Sequence, residues 1–371
     1  MADKSVGTES FATVKKKQVN KKLRLAFIGC GGICTTHIKA IESIPELEIV
    51  GGCDIKQERI DVMKEQFGIK KMYKKWDDML KALKPDVVDV CTPNGVHAPA
   101  VIAALEAGCH VITEKPMAMN PEECKQMIAA AKKAKRLLCC GFQYRYHPKS
   151  QFGRRLLDEG KLGDIMFVKV QALRRHGIPN WGVFGQKALQ GGGPMIDIGV
   201  HMLECAHYMM GQPKPISASG NIWTYFGNDP KNADIICPWP NWDVKTYTVE
   251  DLAIGQVRFE NGAILQVESS FSAHIEQNVL NVTLMGTKGG YNWDAATLFT
   301  DESKVSVNAK ANYLPEADFL TLFIAKLQNF VDAILDPKKE LCVPGEEVLA
   351  VQQMIDGIYR SAAAGKEVII K

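Results

Sequence analysis

A chain of 371 residues suits two domains, each large enough for its own core. With 46% hydrophobic and 23% charged residues it has an ordinary globular composition; it holds no uncharged apolar run near the ~18–20 residues of a membrane span and no charged-then-apolar leader. The net charge of +3 is carried by residues 1–22, where six lysines face only Asp3 and Glu9, so the remainder is close to neutral and nucleic acid is not an expected partner.

That tail has few large apolar residues and is expected to be a flexible, solvated arm rather than a surface for phospholipid or nucleic acid. Leu23 begins an alternation. LRLAFIG, LEIVGGCD, PDVVDVCTP, CHVITEKP and RLLCCGF read as strands apolar on both faces, and the stretches between them read as helices. This is the pattern of an α/β, doubly wound parallel sheet covered by helices, assigned to residues 23–143. The eleven cysteines include no C-x-x-C pair, and several lie in these strands, as Cys30, Cys53, Cys91, Cys139 and Cys140 do. They read as small buried hydrophobes in a reducing, cytoplasmic setting, with no zinc site and no other metal.

Beyond residue 143 the pattern changes to an α+β domain with a largely antiparallel open sheet, assigned to 144–371. Apolar positions alternate from Asp251 to Asn261 and from Ala263 to Ala273 around Glu260-Asn261-Gly262, which predicts a hairpin. Residues 225–249, rich in Pro, Asn, Asp and Trp, predict a long loop near a site or interface. Helices are expected at 316–335 and 345–364.

Three places carry chemistry. The turn Gly29-Cys30-Gly31-Gly32-Ile33-Cys34 follows the first strand and opens a helix, the context in which glycines let a pyrophosphate approach a helix N-terminus. Asp54, 25 residues after Gly29 at the end of the second strand, is the acid expected to accept ribose hydroxyls. An acid there favours NAD over NADP, although Lys56 and Arg59 leave NADP open. Glu114-Lys115-Pro116 ends the CHVITEKP strand, where open α/β sheets hold ligands, so Lys115 is either a cation in the nicotinamide pocket or a solvated turn lysine. In GGGPMIDIGVHMLECAHYMM (191–210) a helix over Met195–Met210 would set Asp197 and His201 on one face, with GGGP admitting the backbone tightly beside the cofactor cleft.

With GCGGICTTH, Asp54, Thr92-Pro93-Asn94-x-x-His97, EKP, the Arg145 segment and GGGPMIDIGVHML in that order, the sequence resembles the Gfo/Idh/MocA oxidoreductases, the family of glucose–fructose oxidoreductase and inositol dehydrogenase. The resemblance implies that the Gly29–Cys34 turn binds pyrophosphate and Asp54 the adenosine ribose. Thr92, Pro93, Asn94 and His97 would line the cofactor cleft, with Glu114 near the nicotinamide. Lys115, Asp197 and His201 match the family's catalytic lysine and D-x-x-x-H pair, Pro116 is commonly cis, and homodimers or homotetramers are expected.

The chemistry agrees independently. Oxidising a secondary alcohol needs a hydride acceptor, a base and positive charge beside the developing alkoxide. His201 has the range of a base and Lys115 the charge, with Asp197 binding a substrate hydroxyl or holding the imidazolium; the roles of Lys115 and His201 can also be exchanged. Arg145, Arg175, His176 and Trp181 are candidate substrate contacts. Trp239 and Trp242 are set between stacking on a sugar and packing in their loop, and His207 is read as structural. The expected activity is NAD-dependent interconversion of a secondary hydroxyl and a ketone on a sugar, glycoside or cyclitol. Two rivals stand beside it: a family glycosidase or glycoside 3-oxidoreductase that recycles tightly bound NAD, and a non-catalytic dinucleotide sensor.

Overall fold

The computed structural model describes residues 22–371; the basic tail of residues 1–22 falls, Lys22 apart, outside the described residues. Short apolar runs form β1 (Leu23–Ile28), β2 (Leu47–Cys53), β3 (Met72–Tyr73), β4 (Val87–Val90), β5 (His110–Thr113) and β6 (Leu138–Cys140). All pair in parallel in the order β3-β2-β1-β4-β5-β6. Helices α1 (Gly32–Ile41), α2 (Gln57–Phe67), α3 (Trp76–Leu83), α4 (His97–Glu106) and α5 (Pro121–Ala134) connect them. α5 shows how its sequence starts a helix: Asn120 accepts from the Glu123 amide at 2.9 Å, and Pro121 occupies the first turn. The strand order reverses between β1 and β4, which opens a crevice at their carboxyl ends.

The second half supplies α6 (Pro148–Asp158), α7 (Lys187–Gln190), α8 (Val200–Met209), α9 (Phe319–Leu335) and α10 (Gly345–Ala364). Its strands are β7 (Ile165–Leu173), β8 (Pro215–Trp223), β9 (Leu252–Phe259), β10 (Ile264–Ser270), β11 (Val279–Gly286), β12 (Gly290–Asn292), β13 (Thr297–Glu302), β14 (Val305–Lys310) and β15 (Val368–Ile369). They form one sheet, β14-β13-β12-β11-β7-β10-β9-β8-β15, in which β7 and β10 alone run parallel. The predicted hairpin is β9–β10, turning at Gly262 with φ +85°. α8 and α10 cover one face, and Met202, Leu203, Cys205 and Ala206 of α8 are fully buried. Among the described residues, no helix is long and apolar enough to cross a membrane. All eleven cysteines are free thiols, and nine are buried.

Packing departs from chain order at α9. This helix returns to the first domain, where Phe323 meets the His37 ring of α1 edge-on at 5.1 Å. The following segment extends the edge of the parallel sheet, with the Cys140 amide donating to Val343 O at 3.1 Å. A division at residue 143 therefore follows the chain but not the core.

Two sequence expectations are corrected here. The helix predicted over Met195–Met210 begins as a π-helical turn at Met195–Gly199, and the α-helix starts only at Val200. Gly192 and Gly193 before it meet their own domain: a Cβ on Gly192 would lie 2.1 Å from the Tyr359 hydroxyl oxygen, and one on Gly193 2.3 Å from Glu250 O, whereas Gly191 abuts Met119 of the first domain. Glu250 fixes that turn by accepting from the amides of Gly193 (2.9 Å) and Met195 (3.4 Å) and from the Tyr359 hydroxyl (2.7 Å).

Arg145, expected at the substrate, is instead 1% exposed. Its Nε donates to Glu204 Oε1 at 2.7 Å and its Nη1 to Cys342 O at 2.5 Å, and Glu347 pairs with it. Burial by itself would lower its pKa, and the two carboxylates more than reverse that. The guanidinium thus ties the segment after β6 to α8 and α10. Arg145→Met should destabilise the protein by about 3–5 kcal/mol at pH 7, because a fully buried Glu204 is left without its cation. Burial already raises the Glu204 pKa, so the unpaired acid takes up a proton readily in the fold, and the deficit measured by urea unfolding should shrink as pH falls towards 5. A deficit that grows on acidification refutes this account.

Candidate active site

Gly29 (φ +87°) turns the chain out of β1, where a Cβ would lie 2.8 Å from the backbone of Cys91. The turn is pinned by Asp54, whose Oδ2 accepts from the Cys30 amide at 2.8 Å while Oδ1 accepts from the Lys56 amide at 2.8 Å. Gly31 is the N-cap of α1 and no side chain caps it, so the amides of Gly32, Ile33 and Cys34 are left to a ligand. A Cβ on Gly31 or Gly32 would meet nothing within 4 Å, so both face open space. An uncapped helix start, no acid in its first turn and open space above it fit a dinucleotide pyrophosphate. The Cys34 side chain is fully buried against the thiols of Cys30 and Cys91, so it packs the helix on the sheet and only its amide faces the cradle.

The second wall of the crevice follows β4. Thr92 is half-buried with an unpartnered hydroxyl, and Pro93 is exposed. Asn94 donates to Gln190 O at 2.9 Å, which ties this loop to α7 in the other domain. His97 is buried with its ring nitrogens 2.8 Å from Pro116 O and 2.9 Å from Thr92 O, so it holds two loops together rather than facing the crevice. Burial lowers its pKa.

Lys115 and Asp197 meet across the two domains. The Lys115 Nζ donates to Asp197 O at 2.6 Å and to Oδ1 at 3.0 Å. Asp197 lies in the π-helical turn Met195–Gly199, so both of its acceptors for Lys115 belong to that irregular turn. The Lys115–Pro116 peptide is cis. His201 stands on the first turn of α8 against the edges of Phe142 and Tyr144, and its Nδ1 has no partner among the described residues. Asp197 and His201 both flank Lys115 but share no hydrogen bond among the described residues, so Asp197 holds the lysine and not an imidazolium. Burial first, and then the Lys115 charge, push the His201 pKa well below its ordinary value. The ring is therefore neutral at pH 7 and able to accept a proton.

The Glu114 carboxylate is held in a buried network. Its Oε1 accepts from Lys326 Nζ at 2.6 Å and lies 3.0 Å from His37 Nε2, and His37 Nδ1 lies 2.5 Å from Asp89 Oδ2. Lys326, His37 and Asp89 are fully buried. Burial opposes charge on Glu114, yet Lys326 and His37 hold its carboxyl well below the usual range; for His37, Asp89 overcomes burial and raises the pKa well above it. Two acids and two bases thus balance beneath the crevice. His37, Asp89 and Cys91 also place ligand-type atoms within 4.8 Å of one another, a closeness that the His37–Asp89 ion pair explains.

The segment 174–184 is only partly as expected. Arg175 is exposed, donating to Glu276 O at 2.9 Å. His176 lies 3.0 Å from the Ser272 hydroxyl, and Trp181 stacks edge-on against Trp239 at 4.9 Å. Trp242 is buried and donates to Gly227 O at 2.8 Å, so it packs its loop, while His207 is buried with Nε2 2.9 Å from Pro213 O. The residue missed is Arg174, next to β7, which faces a pocket of about 360 Å³ together with Gln143, Tyr144, Asn278 and His201. Its position directly after a nine-residue apolar-alternating strand was the available signal.

Two measurements test these assignments. Asp54→Ala should weaken NAD about 10–100-fold relative to NADP in calorimetric titration, the scale of charged hydrogen bonds to the ribose; an unchanged ratio removes Asp54 from that role. In Lys115→Met the His201 ring should titrate at higher pH than in the wild type, by NMR with His201→Asn for assignment, because one of the charges lowering it is gone. An unchanged or lower value shows that Lys115 does not act on His201.

Comparison with known proteins agrees with this geometry. Residues 23–142 match the model for an oxidoreductase family NAD-binding Rossmann fold, and residues 154–370 match that family's C-terminal alpha/beta domain. The chain is 35% identical to D-glucoside 3-dehydrogenase of Escherichia coli over 360 residues, covering 96% of this chain and 99% of the relative. Among solved structures, levoglucosan dehydrogenase in complex with NADH superposes with a TM-score of 0.81 at 23% identity, covering 95% of this chain and all of the other. Aldose-aldose oxidoreductase from Caulobacter crescentus gives 0.75 at 26% identity, covering 94% and 100%. With both family domains matched in order along nearly the whole chain, the protein belongs to the Gfo/Idh/MocA family of NAD-binding oxidoreductases.

Proposed function

We propose that the protein oxidises a secondary hydroxyl of a glucoside, at C3, to the ketone. The observation that carries this reading is the pair of complementary groups at the crevice: an ammonium held by two oxygens of Asp197 and a neutral, unpartnered imidazole. Bound NAD supplies the hydride acceptor. Lys115 places positive charge where an alkoxide develops, and its two bonds to Asp197 hold its Nζ in position. His201 accepts the hydroxyl proton, so the base and the cation are separate residues. The choice of a glucoside and of C3 rests on the E. coli relative, whose name carries both, and on its near-complete coverage.

We also propose a homo-oligomer in a reducing, cytoplasmic setting. The free thiols support the second point, and half-buried Phe167, Ile254 and Ile264 on the helix-free face of the large sheet support the first. Light scattering that gives a monomer mass would refute the oligomer.

The test is reduction of NAD by a panel of glucosides, free sugars and inositols, with the product position read by NMR. Glucosides should be oxidised at C3, and Lys115→Ala and His201→Ala should each lower kcat/KM by about 100-fold or more. Net reduction of added NAD separates this activity from one that recycles bound cofactor. Unchanged turnover in either variant overturns that residue's role, and oxidation of inositols alone overturns the substrate.

A further inference from the structure

His201 opens onto a pocket of about 360 Å³, within the range of small-molecule sites. Its lining combines polar side chains, among them Gln143, Arg174 and His201, with the apolar Leu280 and Phe319, which lie on its solvent-exposed side. Those two side chains remain 38% and 53% exposed although both line the pocket, so apolar surface is left facing an open cavity. That exposed side is not loose. Phe319 packs on Phe323 at 4.7 Å, Phe323 in turn meets buried His37, and Leu280 lies in the ladder between β11 and β7 opposite Ala172.

Two of the polar groups lining the pocket are engaged in part. Arg174 donates from Nη1 to Gly177 O at 2.9 Å and lies over the rings of Trp239 and Phe271, and Asn278 Oδ1 accepts from the Arg175 amide at 2.8 Å. A second sugar ring seated there would bring hydroxyls against the Leu280 and Phe319 side chains, which offer them no hydrogen bond. An apolar group would instead cover Leu280 and Phe319 and remove apolar area from water.

We propose that this outer half of the pocket is an aglycone subsite, and that the enzyme selects glucosides carrying an apolar aglycone over free sugars, methyl glucosides and disaccharides. The inference rests on the reading of the inner site as glucoside-oxidising. It assigns to Phe319 and Leu280 the discrimination between aglycones, separately from the proton transfer at His201.

The experiment compares kcat/KM for NAD reduction with phenyl, methyl and glucosyl β-D-glucosides and their α-anomers, on the full-length enzyme. The phenyl glucoside should exceed the methyl glucoside and the disaccharide of the same anomer by about tenfold or more. Phe319→Ala and Leu280→Asn should each reduce that phenyl-to-methyl ratio several-fold; both positions are on the surface, and circular dichroism verifies the fold. Phenyl and methyl glucosides oxidised with similar kcat/KM, a preferred disaccharide, or a ratio unmoved in both variants overturns the subsite while leaving glucoside oxidation standing. If no glucoside is oxidised while free sugars or inositols are, the reading of the inner site fails and the subsite falls with it.

Discussion

Lys115 bonded to Asp197 is the contact on which the rest of the architecture converges. The lysine ends a strand of the parallel sheet, and the aspartate starts the central helix of the other domain, 82 residues later. Each side chain is about one-seventh exposed, so the pair is neither fully solvated nor sealed in the core. In that setting a charge-assisted bond is worth more than on the surface, and two acceptor oxygens fix the direction of the ammonium. A flexible lysine thereby becomes a cation at a defined point, which is what electrostatic stabilisation of an alkoxide demands. Glu250, Tyr359 and the close-packed glycines hold the Asp197 side, and His97 holds the loop carrying Lys115 by contacting Pro116.

Beneath that contact lies a second electrostatic constraint. His37, Asp89, Glu114 and Lys326 are withdrawn from water, which is unfavourable for any one of them alone. Two acids and two bases meet there, and Glu114 and Lys326 still act on His201 across the crevice floor together with Lys115. The network also explains why α9 crosses back to the first domain: its lysine is the group that lets Glu114 stay ionised beside Lys115. Arg145 with Glu204 and Glu347 repeats the device between β6, α8 and α10. The two domains are joined by charge pairing as much as by apolar packing.

Features that depend on near neighbours in the chain were legible in the sequence. Period-two alternation marked β9 and β10, the glycine turn after β1 marked the helix start for a pyrophosphate, and the end of β2 marked Asp54. Lys115, Asp197 and His201 stood out because each interrupts an apolar run. Partners far apart in the chain left no such trace. Lys326 lies 289 residues from His37, and Glu347 lies 202 from Arg145, so nothing local separates Arg145 from a substrate arginine or Lys326 from a surface lysine on an amphipathic helix. The partners of Glu114 were invisible for the same reason, since Lys326 and His37 lie 212 and 77 residues from it.

The π-helical turn at Met195–Gly199 shows why prediction failed where function is concentrated. Glycine and proline before an apolar run announce a helix start, but they do not distinguish bonding to i+4 from bonding to i+5. The wider turn gives up α regularity and offers a carbonyl to the ammonium, while the next turn leaves a His201 nitrogen without a partner. Both departures are unfavourable for folding taken by themselves, and both lie within reach of one crevice. Two such departures side by side at one crevice put irregularity where chemistry needs it. The neutral imidazole and the doubly bonded ammonium therefore belong to one arrangement: the charge that keeps His201 unprotonated is the same charge that would steady the alkoxide formed when His201 takes its proton.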